Sequence, residues 1–239
     1  MTKNIFEVEG IKFISNSDIE HYRIDTLLSK EPETIAWIQS FSNRVNSFID
    51  VGSNMGVYSL YAAMNHKKIN IYSFEVYTPT FYLMYENIKL NDFKNITPIN
   101  AGLFKETKMT ELVINDERAA GSGNQIVENT EKFSDKVFTI SLDDFTNMFN
   151  ISYPFNIKID VDGLEKEIIE GLEKNLKDKK VNSLLVELDF DDNAKDIINY
   201  LNSLGYVEDK KFTNLRNHSD ERRKKQNSMI SNKIFKLED

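Results

Sequence analysis

Short apolar runs and stretches with helical spacing alternate along most of this chain. Apolar runs of about four to eight residues are typical of buried parallel strands, and we assign them to residues 48–51, 69–74, 95–101, 137–141, 155–161 and 181–188. Apolar residues three or four positions apart predict amphipathic helices over 57–64, 78–90, 164–176 and 194–204. Strand and helix alternate throughout, which predicts an α/β fold with an open, mostly parallel sheet and right-handed crossovers.

Capping and turn residues mark the ends of several predicted elements. Thr78 and Pro79 suit the N-cap and the first position of a helix, and Gly205 suits a left-handed C-cap. Pro98 is tolerated only near the start of a strand or in an edge strand. Residues 233–236 predict a final edge strand.

The first 47 residues precede the apolar run at 48 and are predicted to form an extension. Residues 11–14 have the composition of a short strand, and 31–41 predict a helix with Pro32 in its first turn. Because this helix comes just before the strand at 48, we expect residues 1–47 to roof the functional site. The remaining residues, 48–239, then form the main domain.

Two polar stretches leave alternatives open. After a short predicted strand at 111–114, residues 115–132 are polar and contain glycines, which suits either a lid or substrate loop or a disordered loop. The charged run 221–225 suits either a solvated loop or a contact with an anionic acceptor, such as a phosphorylated or acidic sugar. The basic residues that suggest this contact are Arg216, Arg222, Arg223 and Lys224.

Composition narrows the functional classes. A chain of 239 residues with 40% hydrophobic content suits one α/β domain with a large core. The net charge of −8 disfavours general nucleic-acid binding. There is no cysteine, which excludes disulfides, thiolate metal sites and a cysteine nucleophile. Because the sequence has neither a signal-peptide apolar region nor an apolar run of about 18 residues, we expect a cytoplasmic protein with no membrane span.

A glycine-containing turn follows the first strand of the main domain. The turn runs from Asp50 through Gly52 to Gly56 and leads into a helix, so backbone N–H groups and a helix N-terminus face the same space. A dinucleotide fingerprint would have glycine where Asn54 stands, which argues against a pyrophosphate ligand. The next strand ends at Glu75, which is placed to accept hydrogen bonds from ribose hydroxyls. A nucleoside-containing ligand is therefore predicted.

Carboxylates also end the later strands. Asp160 ends the strand at 155–161, and Glu187 and Asp189 end the strand at 181–188. Because the carboxyl ends of parallel strands meet at one edge of the sheet, these acids are expected to lie together. They suit a general base, a metal ligand set or a partner for a cofactor ammonium group.

The sequence resembles the FkbM-type S-adenosylmethionine-dependent methyltransferases over roughly residues 30–190. The stretches that carry the resemblance are Glu31-Pro32-Glu33-Thr34, Asp50-Val51-Gly52-Ser53-Asn54-Met55-Gly56, Phe74-Glu75, the Ser-Leu-Asp-Asp at 141–144, and Ile157 to Glu165 with Gly171 downstream. Asp162 stands where the family usually has Glu, and Ser53 where alanine is commoner. The resemblance implies a class I methyltransferase fold: a seven-stranded, mostly parallel sheet with helices on both faces that ends in an antiparallel hairpin.

The resemblance also implies S-adenosylmethionine as cofactor and methyl transfer to a hydroxyl of a sugar, glycan or other small metabolite. It implies these cofactor-binding residues: Asp50, Gly52, Ser53, Asn54 and Gly56 beside the methionine part, Glu75 on the ribose, Val76, Asn100 and Ala101 around the adenine, and Asp160 near the sulfonium. Asp160 is the first candidate for the catalytic base and Glu187 the second. A bound metal is not indicated, and the oligomeric state stays open.

Two other functional classes remain as alternatives. An NAD-dependent oxidoreductase could use a similar sheet, although Asn54 and the lack of a Tyr-x-x-x-Lys pair count against it. A catalytically silent cofactor-binding protein is the second alternative. Methylation of nucleic-acid amino groups is rejected, because 152–155 only distantly resembles the expected tetrad and precedes its strand.

Overall fold

The computed structural model describes residues 4–189, 192–216 and 231–238. In chain order the strands are β1 (Ile5–Val8), β2 (Ile11–Ile14), β3 (Ser47–Val51), β4 (Asn70–Phe74), β5 (Ile96–Ile99), β6 (Gly102–Leu103), β7 (Lys108–Val113), β8 (Gln125–Val127), β9 (Ser134–Ile140), β10 (Phe155–Ile159), β11 (Val181–Leu188), β12 (Tyr206–Glu208) and β13 (Ser231–Leu237). The helices are α1 (Asp18–Asp25), α2 (Pro32–Gln39), α3 (Val57–Asn65), α4 (Thr78–Leu90), α5 (Leu142–Met148), α6 (Glu165–Glu170), α7 (Glu173–Lys177), α8 (Asp192–Ser203) and α9 (Lys210–Arg216).

A seven-stranded sheet forms the centre of the protein, in the order β12-β13-β11-β10-β3-β4-β5. The strands from β11 to β5 are parallel neighbours, whereas β13 runs antiparallel to both β11 and β12. After β3, the next two strands of this sheet, β4 and β5, lie on one side of it, and the later strands β10 and β11 lie on the other side. The strand order therefore reverses beside β3. The predicted class I methyltransferase sheet is confirmed.

Apolar cores cover both faces of this sheet. Successive residues of a strand point to opposite faces, so Phe48 joins a core with α2, α3 and α4, whereas Ile49 joins a core with α5, α6 and α8. Both side chains are fully buried. The expected arrangement of helices on both faces is therefore confirmed.

The N-terminal residues pack into the first of these cores. Phe13 of β2 and Ile24 of α1 are fully buried there, and the Trp37 indole of α2 donates a hydrogen bond to Ser183 Oγ at 2.9 Å. The strand predicted at 11–14 and the helix with Pro32 in its first turn are confirmed. The strand β1 was not predicted, because it is only four residues long and its apolar side chains are mostly exposed, so they form no buried face.

Three boundary predictions were wrong. The helix predicted at 164–176 is two short helices, because the chain breaks at Gly171. The final strand β13 lies between β11 and β12 rather than at the edge. Tyr77, not Thr78, is the N-cap of α4, and it makes no side-chain capping bond.

Residues between β5 and α5 form a second, four-stranded sheet in the order β6-β9-β7-β8. The strand β8, which pairs antiparallel with β7, lies within the polar stretch 115–132. The disordered-loop alternative for that stretch is therefore wrong. No helix in the described ranges has both the length and the apolar character needed to cross a bilayer.

Gly171 is a position where only a hydrogen fits. A Cβ at this residue would lie 2.4 Å from the Phe104 carbonyl oxygen, although its φ of −70° is open to any residue. We expect Gly171→Ala to lower the free energy of unfolding by about 1–3 kcal/mol through overpacking, measured by urea denaturation. Asp178→Ala is the control, because Asp178 is an exposed C-cap with φ −76°. Equal stability of the two variants would contradict this assignment.

Candidate active site

A cavity of about 360 Å³ opens at the carboxyl ends of β3, β4 and β10. Its volume lies within the range of small-molecule sites. Of the residues predicted to form the site, those that line it are Gly52, Ser53, Asn54, Glu75, Val76, Ala101, Asp160 and Glu187. The cavity thus lies at the strand ends beside the reversal of strand order, where the sequence analysis placed the site, and ligand binding by these residues stays a prediction.

Gly52 shapes the floor of the cavity. Its φ is +71°, and a Cβ there would lie 2.0 Å from the carbonyl oxygen of Asp160. The turn after β3 therefore lies directly against the end of β10, and only glycine permits this contact. Asn54 also has a left-handed φ of 52°, which asparagine tolerates better than most residues.

Glu75 is held at the cavity wall by backbone donors. Its carboxylate accepts hydrogen bonds from the N–H of Asn54 at 3.0 Å and the N–H of Tyr77 at 2.8 Å. Burial raises the pKa of the Glu75 carboxyl to about 7, although these N–H groups and the positive charge of Arg23 oppose the rise. The carboxylate is thus fixed in position and changes charge near neutral pH.

Three of the predicted cofactor-binding residues lie outside the cavity lining. Asp50 is fully buried and accepts a hydrogen bond from Ser59 Oγ at 2.6 Å. Gly56 is the left-handed N-cap of α3. Asn100 donates from its amide to the carbonyl of Glu75 at 2.8 Å. These residues support the lining, and their direct contact with a cofactor stays a prediction.

A buried lysine that the sequence analysis missed lines the cavity beside Asp160. The Lys158 side chain is 1% exposed, and its Nζ is 2.5 Å from Asp160 Oδ2. Burial favours the neutral amine, but Asp160, Asp50 and Glu31 outweigh it and hold the pKa of Lys158 above its usual range. The sequence signal was a lysine between two isoleucines in an otherwise apolar strand.

Asp160 and Glu187 form a hydrogen-bonded pair that shares one proton at neutral pH. Burial opposes the charge on Asp160, but Lys158 and Lys30 outweigh it and hold the pKa of Asp160 well below its usual range. Burial raises the pKa of Glu187 to about 9, and the negative charges of Asp160 and Glu31 add to the rise. Asp160 is therefore ionised and accepts a hydrogen bond from the protonated Glu187.

Glu31 brings the N-terminal segment into the same charged cluster. Its side chain is fully buried, and it accepts hydrogen bonds from Lys30 Nζ at 2.9 Å and Thr34 Oγ1 at 3.2 Å. Burial and the charge of Glu31 raise the pKa of Tyr58 well above its usual value. The motif at 31–34 thus contributes a buried charge beside the strand-end acids.

The segment 117–123, which we call the cover segment, forms another wall of the cavity. Hydrogen bonds tie it to several elements: Tyr77 Oη to Glu117 O (2.8 Å), Ala120 N to Thr80 Oγ1 (3.1 Å), Arg23 Nε to Ala120 O (2.8 Å), Asn54 Nδ2 to Gly121 O (2.9 Å) and Gly123 N to Asp162 Oδ2 (2.6 Å). Asp162 therefore anchors the cover segment, a contact that the sequence analysis did not predict.

The described ranges contain no cluster of three or more histidine, aspartate or glutamate side chains that could hold a metal ion. Arg222, Arg223 and Lys224 lie outside the described residues, and the Arg216 side chain is not described either. The predicted anionic contact in this stretch therefore stays a prediction.

Comparison with known proteins decides the family. The Methyltransferase FkbM domain matches residues 50–208, more than half of the chain. The chain belongs to the FkbM methyltransferase family. It is a methyltransferase, and because the family is S-adenosylmethionine-dependent, S-adenosylmethionine is its methyl donor. This settles the choice between nicotinamide and methyl-donor chemistry that the glycine turn alone left open.

Individual relatives agree with this assignment. The chain is 27% identical over 199 residues to the hexuronic acid methyltransferase AglP of Haloferax volcanii, which covers 82% of this chain and 79% of that protein. It is similar in fold to M. jannaschii TYW2 in complex with AdoMet (TM-score 0.50, 13% identity, 99% of this chain and 87% of that chain). It is also similar to a putative rRNA-methylase from Clostridium thermocellum (TM-score 0.52, 10% identity, 87% and 96%). At these identities the two structures show the fold alone.

The proton on Glu187 has a measurable consequence for stability. Between the ordinary glutamate pKa of 4.5 and the raised value of about 9, the folded protein binds one more proton than the unfolded chain, so stability falls as pH rises. Glutamine cannot ionise. We therefore expect Glu187→Gln to raise the Tm relative to the native protein at pH 8, with the difference shrinking toward pH 5.

Scanning calorimetry across this pH range measures the difference. Asp189→Asn is the matched control, because Asp189 is an exposed carboxylate two residues further along the same chain segment. A constant difference between Glu187→Gln and the native protein from pH 5 to pH 8 would show that Glu187 is not held protonated.

Proposed function

We propose that this protein is an O-methyltransferase that methylates a hydroxyl of a sugar, a glycan or another small hydroxylated metabolite. The observation that carries the proposal is the Asp160–Glu187 pair, which lines the cavity beside the glycine turn. A carboxylate pair at this position suits deprotonation of a hydroxyl. The likeness to a hexuronic acid methyltransferase supports a sugar acceptor, and the net charge of −8 disfavours a nucleic acid.

The residues present fit the cofactor. The tight turn at Gly52 removes side-chain bulk from the floor of the cavity, and the carboxylate of Glu75 faces it from the end of β4. Glu75 would accept hydrogen bonds from the ribose hydroxyls, and Val76 and Ala101 would flank the adenine. Gly52, Ser53 and Asn54 would lie along the methionine part. When bound, S-adenosylmethionine supplies an electrophilic methyl group on a positively charged sulfur.

The acid pair then serves as the base. At neutral pH the pair already holds one proton, so it cannot accept another readily. Beside the positively charged sulfur of a bound cofactor, the pair would hold its proton less tightly, so Glu187 would release that proton to solvent closer to neutral pH. Glu187 would then be the more basic carboxylate and would take the acceptor hydroxyl proton as the C–O bond forms and the methyl carbon–sulfur bond breaks, with S-adenosylhomocysteine as the leaving group. Asp160, held by Lys158, orients Glu187.

The N-terminal residues 1–47 are proposed to roof the site. Arg23, Leu27 and Lys30 line the cavity opposite the strand ends. With the cover segment, they would leave the acceptor a restricted path to the pair and exclude water from the reacting atoms.

The direct test is an activity screen with purified protein. We expect formation of S-adenosylhomocysteine with a sugar acceptor and none with tRNA or duplex DNA. Mass spectrometry of the product should show a gain of one methyl group on oxygen. Methyl transfer to a nitrogen or to a nucleic acid, with none to any sugar, would contradict the proposal.

Glu75 makes cofactor binding depend on pH. Since its pKa is about 7 and the ribose hydroxyls require the carboxylate form, the Kd for S-adenosylhomocysteine should rise about tenfold from pH 8 to pH 6. Calorimetric titration measures this change. In Glu75→Gln we expect weaker binding of S-adenosylhomocysteine, with a Kd that is the same at pH 8 and pH 6. A variant that keeps the native pH dependence would assign the effect to another group.

Glu187→Gln separates catalysis from binding. Its side chain is close in shape to protonated Glu187 but cannot accept a proton, so we expect kcat to fall about 100-fold or more. The Kd for S-adenosylhomocysteine should change little. Asp189→Asn, at the same strand end but outside the cavity lining, should keep native kcat. Native kcat in Glu187→Gln would exclude Glu187 as the base.

A further inference from the structure

The N-terminal segment lines the cavity with cations. Arg23, Thr26, Leu27 and Lys30 all line it. Arg23 belongs to α1, and Lys30 follows the helix in a hydrogen-bonded turn, where the Lys30 N–H donates to the Thr26 carbonyl at 2.8 Å. Two positive side chains seven residues apart therefore line the same cavity.

Only one nitrogen of the Arg23 guanidinium, Nε, has a hydrogen-bond acceptor among the described residues. Its Nε donates to the Ala120 carbonyl of the cover segment at 2.8 Å, which fixes the side chain. Among the described residues, no hydrogen bond is found for its two terminal Nη nitrogens. The half-buried guanidinium therefore presents its planar Nη donors while its orientation is set by the cover segment.

Of the two lysines that line the cavity, Lys30 and Lys158, Lys30 is the more accessible. Its side chain is 28% exposed, and one of its three N–H donors is directed to Glu31. Lys158 is 1% exposed, and its charge is balanced at short range by Asp160. Each lysine is paired with one carboxylate, but only Lys30 is exposed enough to turn its remaining donors toward a ligand.

We propose that Arg23 and Lys30 form a carboxylate-binding subsite on the roof of the cavity. A planar guanidinium with free Nη donors matches a carboxylate, and the second cation extends the positive strip toward Asp160 and Glu187. This proposal rests on the proposed function, which supplies two sources of a carboxylate. One is the methionine part of the cofactor, and the other is an acidic sugar acceptor.

The acidic surroundings make this strip selective. The other carboxyl and ammonium groups lining the cavity are those of Glu75, Lys158, Asp160, Asp162 and Glu187. Because Lys158 is paired with Asp160, the acids outnumber the remaining positive charge there and would repel a carboxylate placed against the strand ends. A carboxylated ligand would thus be oriented with its acid group toward α1 and its neutral hydroxyls toward the acid pair. This orientation would select which hydroxyl reaches Glu187.

The test compares ligands that differ by a carboxylate in Arg23→Gln and Lys30→Gln. For the cofactor, calorimetry compares S-adenosylhomocysteine with 5′-methylthioadenosine, which lacks the amino-acid part. For the acceptor, NMR titration in saturating S-adenosylhomocysteine compares D-glucuronate with D-glucose. We expect at least one variant to weaken binding of a carboxylated ligand about tenfold to a hundredfold more than it weakens binding of the matched neutral ligand.

The arm that responds identifies the source. Weaker S-adenosylhomocysteine binding assigns the subsite to the cofactor, and weaker D-glucuronate binding assigns it to the acceptor. Lys94→Gln is the charge control, because Lys94 is 81% exposed and lies outside the cavity lining. Lys30→Arg, which keeps both the charge and the partner for Glu31, should restore binding if Lys30→Gln loses it.

Two negative results have different meanings. If the native protein binds no S-adenosylhomocysteine, the proposed function is wrong and the subsite with it. If the native protein binds S-adenosylhomocysteine, but both variants bind it and D-glucuronate as the native protein and Lys94→Gln do, the subsite alone is overturned.

Discussion

The burial of Lys158 is the constraint on which the site depends. A lysine at the centre of an apolar strand would lose its charge or destabilise the fold unless acids surrounded it. Here Asp160, Asp50 and Glu31 supply that negative charge. They come from the end of β10, from β3 and from the N-terminal segment, so one ammonium group links three separate parts of the chain at the base of the cavity.

The same charges decide where a proton resides. Because Lys158 keeps Asp160 ionised, the neighbouring Glu187 cannot lose its proton at neutral pH without placing two negative charges side by side. The protein therefore holds a proton on Glu187, the carboxylate that we propose as the base. Such a site is less stable than one with a neutral side chain, which is a common compromise where activity requires a strained charge arrangement.

The rest of the cavity is built from segments outside the central sheet. The cover segment is held by Arg23, Asn54 and Asp162, which belong to α1, the glycine turn and the end of β10. Each of these side chains also lines the cavity. Residues that shape the ligand space thus also determine the position of the cover segment, so roof and floor form one connected arrangement.

The sequence alone determined the sheet, the glycine turn and Glu75, because these depend on the order of neighbouring residues: an apolar run, a turn that needs left-handed backbone, and an acid at the next strand end. It also placed Asp160 and Glu187 at one edge, since parallel strands share that edge. It did not reveal the break at Gly171, the inner position of β13, or the roles of Lys158, Glu31 and Arg23. Those follow from contacts between residues far apart in the chain. The Phe104 carbonyl lies where a side chain at residue 171 would be, and the charges of three acids act on Lys158. Only the tertiary structure brings such groups together.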